Sequence, residues 1–295
     1  MGQYTISAEA IERFGRYLHG EERELGTIEK YCRDVRNFVA WLAEREVDKS
    51  MVVEWKEHLR AAGYAPTTIN SMLVAVNRFF HFQGWDGFRV KALRIQRRVF
   101  CSRERELSRE EYSRLVETAR ARGKERLALL METICATGIR VSEVKYITAE
   151  AIQVGRAEVS LKGKVRTILI PRKLCHKLQK YAKKQKIASG EIFLTRSGKG
   201  LSRRQIWAEM KAIRTKAGVA KGRVFPHNLR HLFARCFYRA CRDVVQLADV
   251  LGHASVETTR IYLISSGTEH ARRLERLGLV FSEKVDEINI WNKKK

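Results

Sequence analysis

Four short stretches of this 295-residue chain carry side chains able to act on a phosphate group. The first is Thr137-Gly138-Ile139-Arg140-Val141-Ser142-Glu143. Gly138 can end one helix in the left-handed conformation and Ser142 can cap the next. Arg140 then stands at a helix N-terminus, where free N–H groups and the dipole favour an anion. A plain surface arginine at a helix junction fits the same local pattern. The second stretch is His227-Asn228-Leu229-Arg230-His231. Its i, i+3, i+4 spacing places His227, Arg230 and His231 on one helix face. Comparison with the H-E-x-x-H zinc motif fails, because the glutamate is missing and a guanidinium between the ligands repels Zn²⁺. No metal site is therefore expected. Arginine and histidine on one face instead suit a cluster of anionic oxygens. His231 is expected to point inward, between Leu229 and Phe233, as a satisfied structural histidine.

The third stretch runs Leu251-Gly252-His253-Ala254-Ser255, then Thr258, Thr259, Arg260, Ile261 and Tyr262. Asp243 can cap a helix that Gly252 ends, and Ser255 opens the helix expected to carry Tyr262. A lone tyrosine late in a helix is usually core, and only its company argues otherwise. The fourth stretch is the turn Lys162-Gly163-Lys164, a weak signal alone. Gly198-Lys199-Gly200 lacks the spacing of a phosphate-binding P-loop.

These stretches need a scaffold, and the hydrophobic periodicity supplies a mainly helical one. Four helices are expected in the first segment. They cover residues about 7–19 and 27–45, a short helix through Trp55 and Leu59 capped by Asp48 or Ser50, and a helix after Pro66 with Ile69, Leu73, Val76 and Phe80 on one face. The aromatic stripe reads as core rather than a base-stacking platform. Residues 89–107 read as an extended basic connector. Ser108 then opens a helix with Glu110 and Glu111 in its first turn, and helical pattern continues through Ala136. The period changes at Ala157–Leu161 and Arg166–Ile170, a small antiparallel hairpin that Pro171 ends. A basic helix at 173–186 and a Ser202-capped helix at 203–217 follow. The expected organisation is a helical domain at 1–88, the linker at 89–107, an α-rich domain at 108–275 and a tail at 276–295.

Charge separates these regions. Lys and Arg total 58 against 33 Asp and Glu, a formal net charge of +25. Residues 1–95 carry 14 basic and 13 acidic side chains, whereas the other 200 carry 44 and 20. A surface of that sign attracts polyanions, DNA foremost. No apolar run approaches the ~20 residues of a membrane helix and no signal-peptide pattern opens the chain, so no membrane partner is expected. The six cysteines form no C-x-x-C pair, and reduced, mostly buried thiols in a cytoplasm are the default.

In order, an Arg in T-G-x-R-x-S-E, a Lys in a β-turn, H-x-L-R-H, L-G-H and a Tyr nine residues after that His resemble the signature of the tyrosine site-specific recombinases. That group includes the phage and transposon integrases and the Xer-type enzymes, and the resemblance covers nearly the whole chain. It implies a SAM-like helical DNA-binding domain and a catalytic domain closing on duplex DNA as a C-shaped clamp. It implies Tyr262 as nucleophile, forming a 3′-phosphotyrosyl link. Arg140 and Arg230 would grip nonbridging oxygens, and His227 and His253 would donate hydrogen bonds or shuttle the tyrosine proton. Lys162 would protonate the leaving 5′ oxygen, with Lys164 the competing lysine. Glu143 and His231 would support from behind. The family often shows G-K-G-x-K-x-R at the turn, where this chain has Leu161-Lys-Gly-Lys-Val-Arg166. No cofactor, metal or ATP is implied. The partners would be duplex DNA with paired half-sites and a tetramer of this chain in the synaptic complex. Residues about 267–281 would pack on a neighbouring protomer. The setting would be the nucleoid of a bacterium or phage host. Three other readings use the same residues: a type IB topoisomerase-like enzyme, a DNA-binding protein without catalysis, and a metal-dependent nuclease, for which clustered acids are missing.

Overall fold

In a computed structural model, the chain divides into two compact units, Met1–Arg97 and Arg98–Lys295. The structure describes residues 4–95, 105–161, 164–253, 255–260, 262, 274–277 and 279, with the backbone alone at 161 and 164.

Among its described residues the first unit holds four α-helices: α1 (Ala8–Gly20), α2 (Leu25–Leu42), α3 (Lys49–Ala61) and α4 (Pro66–Phe82). Local chemistry sets their ends. Ser7 Oγ accepts from Ala10 N at 3.1 Å, Asp48 accepts from Met51 N at 2.7 Å, and Pro66 opens α4, where its missing N–H is harmless. The helices turn their aromatic faces inward. Phe14 meets Phe79 edge-on at 5.3 Å and Phe38 lies 5.0 Å from Trp55, all four buried. The aromatic stripe is therefore core. The start of the expected connector is pinned to this unit. Asn77 exchanges two hydrogen bonds with the Val90 backbone, and Asn70 two with Leu93.

In the second unit, α5 (Arg109–Ala121) starts with a capping box between Ser108 and Glu111. It is followed by α6 (Glu125–Thr137), a 3₁₀ turn at Val141–Tyr146, and α7 (Ala149–Val154). Strands β1 (Arg156–Leu161) and β2 (Lys164–Leu169) pair antiparallel, with Leu161 opposite Lys164. Then come α8 (Arg172–Lys184), α9 (Arg203–Arg214) capped by Ser202, α10 (Pro226–Cys241), α11 (Val244–Leu251) and α12 (Val256–Arg260). Leu115, Leu130, Ile134, Leu178, Phe193 and Leu229 lie in its core.

Three expectations need correction. Ser142 caps nothing: it sits inside the 3₁₀ turn, whose N-cap position Arg140 occupies. α12 ends at Arg260, so Tyr262 lies beyond the helix expected to carry it. Cys236 and Cys241 are exposed rather than buried, because they lie on the part of α10 after Ala234, its last buried residue. Among the described residues no helix is long and apolar enough to cross a membrane.

Candidate active site

Two left-handed turns bring distant stretches together. Gly138 ends α6 at φ +66°, and a Cβ there would lie 2.4 Å from the Phe233 ring, so both conformation and space demand glycine. Gly252 ends α11 at φ +63°, where a Cβ would meet Arg166 Cδ at 2.4 Å. Asp243 starts α11 by accepting from the N–H groups of Val245 and Gln246.

Arg140 leaves the first turn toward the second. Its backbone N–H donates to Glu143 Oε2 at 2.7 Å, its Nη1 to Glu143 Oε1 at 2.8 Å, and its Nη2 to the Gly252 carbonyl at 3.3 Å. Glu143 is 1 % exposed and is shared with Arg166, which ion-pairs through Nη2 and donates through Nη1 to the Val250 carbonyl at 2.9 Å. Burial pushes the Glu143 carboxyl up. The Arg140 N–H and the two guanidinium charges outweigh that and hold it below the usual carboxylate range.

Arg230 is the centre of the site. It is 2 % exposed. Nη1 donates to the Gly138 carbonyl at 2.5 Å, and Nη2 donates to Leu251 O at 2.8 Å and to His253 Nε2 at 2.9 Å. Among the described residues no carboxylate pairs with it. Burial and the neighbouring Arg140 charge push its pKa down to about 10, and the nearby Tyr262 phenol opposes them. It stays charged at neutral pH, buried and without a counter-ion among the described residues, which is costly until an anion arrives.

Tyr262 is buried with its ring among three histidines. His231 meets it edge-on at 4.4 Å, His253 stacks at 5.7 Å with 12° between planes, and His227 lies at 6.1 Å. Burial keeps the His231 pKa down to about 3 and that of His253 to about 4, with nearby positive charge adding to both. His227 faces solvent. Its pKa is also lowered, by the protein packed around it and by Arg230 and Arg140. A cavity of about 640 Å³ opens beside Arg140, His227 and Arg230. Its far wall is Arg203, Arg204 and Trp207, over whose ring Lys211 Nζ lies at 3.4 Å.

The structure thus brings together Arg140, Glu143, His227, Arg230, His231, His253 and Tyr262, separated by up to 122 positions in the chain. His231, expected as a plain structural histidine, packs against Tyr262 itself. Lys162 lies outside the described residues, as does the Lys164 side chain. Two residues escaped the sequence reading: Arg166, which shares Glu143 with Arg140, and Thr259, whose hydroxyl meets His253. The arginine closing the family's hairpin pattern was the available signal for Arg166. Among the described residues no group of three or more His, Cys, Asp or Glu stands together to hold a metal ion.

A buried guanidinium, a second arginine and a tyrosine ringed by imidazoles, on a helical unit with one hairpin, define a phosphate-directed enzyme class. Residues 105–268 match the phage integrase family model and residues 11–87 match the phage integrase N-terminal SAM-like domain. The chain belongs to the phage integrase family. It is 28 % identical over 289 residues to the tyrosine recombinase XerA of Thermococcus kodakarensis, covering 95 % of this chain and 98 % of that one. It is 30 % identical over 301 residues to the tyrosine recombinase XerC of Roseiflexus castenholzii, covering 91 % and 94 %. The fold is similar to XerH site-specific recombinase in a post-cleavage complex with a palindromic difH substrate. There the TM-score is 0.71 and the identity 18 %, with 93 % of this chain and 85 % of that one covered. It is also similar to a lambda integrase tetramer bound to a Holliday junction, at TM-score 0.69 and 17 % identity, with 86 % and 76 % covered.

Proposed function

We infer that this protein is a site-specific DNA recombinase, which cuts and rejoins duplex DNA through a covalent link between Tyr262 and the 3′ phosphate. The observation that carries the residue roles is Arg230: a buried guanidinium with no carboxylate partner among the described residues, within hydrogen-bond reach of His253 and beside Tyr262. Phosphodiester cleavage needs a nucleophile, stabilisation of the phosphorane charge and a proton for the leaving oxygen. Tyr262 attacks phosphorus. Arg140 and Arg230 hold the nonbridging oxygens, each guanidinium presenting two donors and keeping its charge. Glu143 acts through Arg140, fixing its direction. His227, at the cavity mouth, donates to a phosphate oxygen. Lys162 gives the 5′ oxygen its proton. The covalent link conserves the phosphodiester energy, so rejoining needs no nucleotide.

Strand exchange between two duplexes requires four such sites, and four copies of this chain assemble on paired half-sites. Leu274, Leu277 and Leu279 are exposed apolar side chains in the segment expected to dock on a neighbour. The rest of that segment lies outside the described residues. Kinship with XerA and XerC supports resolution of chromosome dimers, on the nucleoid, ahead of integration or excision of a mobile element.

The test uses duplexes selected from a random pool by binding to the protein, then nicked at each position in turn. A nick next to the scissile phosphate lets the short strand diffuse away and traps the adduct. A denaturation-resistant protein–DNA species linked at Tyr262 by mass spectrometry is expected, unchanged by EDTA. Binding without any adduct would leave a DNA-binding protein. An adduct with no exchange between duplexes would leave a topoisomerase-like enzyme.

A further inference from the structure

Along β2 the side chains alternate, and the alternation puts a charge inside. Val165, Thr167 and Leu169 are exposed and Ile168 is buried, and Arg166, two positions before Ile168, shares its inward face. A guanidinium there is costly unless it is answered. Two elements of the site answer it. Its Nη2 pairs with Glu143 Oε2, and its Nη1 donates at 2.9 Å to the Val250 carbonyl in the last turn of α11. Its Nε is buried with no hydrogen-bond partner among the described residues, a cost that cohesion alone does not explain. Arg140 holds the other side of the same carboxylate, its Nη1 donating to Glu143 Oε1 at 2.8 Å. One carboxylate thus faces two guanidiniums, and the trio carries a net charge of +1. Without Arg166, Glu143 would cancel Arg140 and leave a neutral pair beside the cavity. The Arg166 charge also reaches further. Burial leads in lowering the pKa values of Arg230 and His253, and Arg166 adds to the lowering of both.

We infer that Arg166 is a positioning residue for strand cleavage: by answering Glu143 from the hairpin side, it leaves the Arg140 charge free for the nonbridging oxygens of the scissile phosphate. This rests on the reading of Tyr262 as nucleophile and of Arg140 as a clamp on those oxygens. While the bond from the Tyr262 oxygen to phosphorus forms and that to the 5′ oxygen breaks, negative charge gathers on the nonbridging oxygens. Fixed positive charge aimed at them is the main electrostatic help a site can give. A guanidinium already neutralised by a buried carboxylate gives less of it, and the low dielectric of a closed site enlarges the difference. Arg166 touches no phosphate in this account. It acts through Glu143 on Arg140, and its bond to Val250 ties the hairpin to the α11 stop, whose Gly252 carbonyl accepts from Arg140 Nη2 at 3.3 Å.

The full chain is tested by its rate of adduct formation on the nicked duplex, with three scissile groups. One is the ordinary phosphate, one a methylphosphonate with methyl in place of a nonbridging oxygen, and one a phosphate with sulfur as the bridging 5′ atom. Wild type is compared with Arg166→Gln, Arg166→Lys and the double variant Arg166→Gln/Glu143→Gln. On the phosphate, Arg166→Gln should be about 10²-fold slower than wild type, the scale of losing a partner that orients a working group. On the methylphosphonate, which carries one negative charge fewer, it should run nearly as fast as wild type. Sulfur eases only the departure of the leaving atom and should leave the deficit in place. Arg166→Lys should recover most of the rate. The double variant loses one charge of each sign, keeps Arg140 uncancelled and should recover most of it too. A wild-type rate for Arg166→Gln on the phosphate overturns the inference. An equal deficit on phosphate and methylphosphonate also overturns it, because a distorted site slows both alike. Rescue by sulfur would move the action to the leaving group, and a double variant as slow as Arg166→Gln would remove the role of charge; either result overturns it. If Arg166→Gln does not fold, the double variant, which buries no unanswered carboxylate, decides by its rate on the phosphate: near wild type supports the inference, and a large deficit overturns it. A wild type that forms no Tyr262 adduct sinks the proposed function instead. Orthovanadate, expected to bind wild type more tightly than Arg166→Gln, then still reads the charge, and equal affinities overturn the inference.

Discussion

Among its described residues the first unit fully buries one charged side chain, Asp34, and answers it with Lys30 at 2.5 Å. Among its described residues the second unit buries Glu143 between two arginines and Arg230 with no carboxylate opposite, along with Thr133, Thr137, Asn228 and Thr259. Both units have apolar cores, so the contrast lies in what is added to cohesion. Apolar burial gains about 25 cal/mol per Å² whatever the partner. An unpaired buried cation loses several kcal/mol and is kept only where a ligand supplies the missing charge. The interior of the first unit is explained by folding alone, and that of the second is not. Substitutions in the two interiors should therefore fail in different ways.

The largest effects separate those failures. Tyr262→Phe should abolish the covalent adduct while leaving the melting temperature close to wild type, since the ring contacts with His231 and His253 survive. Trp55→Ala, which empties a fully buried site in the first unit, should lose about 3–5 kcal/mol of stability. Its adduct formation should return wherever the protein is still folded. Calorimetry and the nicked-duplex assay on both variants check this. A Trp55→Ala protein that folds with wild-type stability but forms no adduct would break the contrast.

The hairpin lysine comes next. Lys162→Ala should slow cleavage about 10²–10⁴-fold, the worth of general-acid help, with DNA binding nearly intact. A substrate with sulfur in place of the bridging 5′ oxygen leaves as a thiolate without an acid, so it should restore most of the rate. Tyr262→Phe should gain nothing from it. Rescue of Lys164→Ala instead, with Lys162→Ala like wild type, would move the role by two residues. Rescue of neither would make the turn a binding element.

How much was legible beforehand follows the reach of each interaction along the chain. The caps at Asp48, Ser108, Ser202 and Asp243 act within three residues and the stops at Gly138 and Gly252 within four, and each was readable from its neighbours. Arg140, Arg230 and Tyr262 stood out as types in a family order. Their geometry did not, because the bonds that build it run from Arg140 to Gly252 and from Arg230 to Gly138, across 112 and 92 positions. Arg166 opened a β-branched run and closed the hairpin pattern without announcing a role, because its partners Glu143 and Val250 lie 23 and 84 positions away. Thr259 lies six positions from His253, within local range. A threonine inside a helix nevertheless announces no role until the ring it faces is seen.

Acid should expose the second unit's histidines. His231 and His253 have folded pKa values of about 3 and about 4, well under the unfolded value near 6.5. The native state therefore binds fewer protons than the unfolded one between those limits. Stability is complete above pH ~6.5 and drains as pH falls toward ~4. Each such histidine adds a slope approaching about 1.4 kcal/mol per pH unit in that window. Denaturant unfolding between pH 7 and 4 should show it, and His231→Asn should flatten the curve. An equally steep curve in that variant would assign the loss to other groups.

The smallest effect concerns the surface. On α8, Lys173 and Lys180 are exposed, whereas Lys177 is held by Glu132 at 2.8 Å and must break that pair to meet a phosphate. Each phosphate contact on B-DNA adds about 0.9 to the slope of log affinity against log salt. Neutralising Lys173 and Lys180 together should therefore lower the slope by up to about two, and adding Lys177→Gln should change it less than a third contact would. Lys49 and Lys56 on α3 supply the matched control. They lie in residues 1–63, where 12 acidic side chains outnumber 10 basic ones, and their removal should leave the slope nearly unchanged. Binding to one selected duplex across a salt series reads both pairs at equal loss of net charge. If the two pairs lower the slope equally, net charge alone governs the attraction. If only the α8 pair does, that helix lies along the DNA backbone, and the basic excess of the second unit is arranged rather than merely abundant.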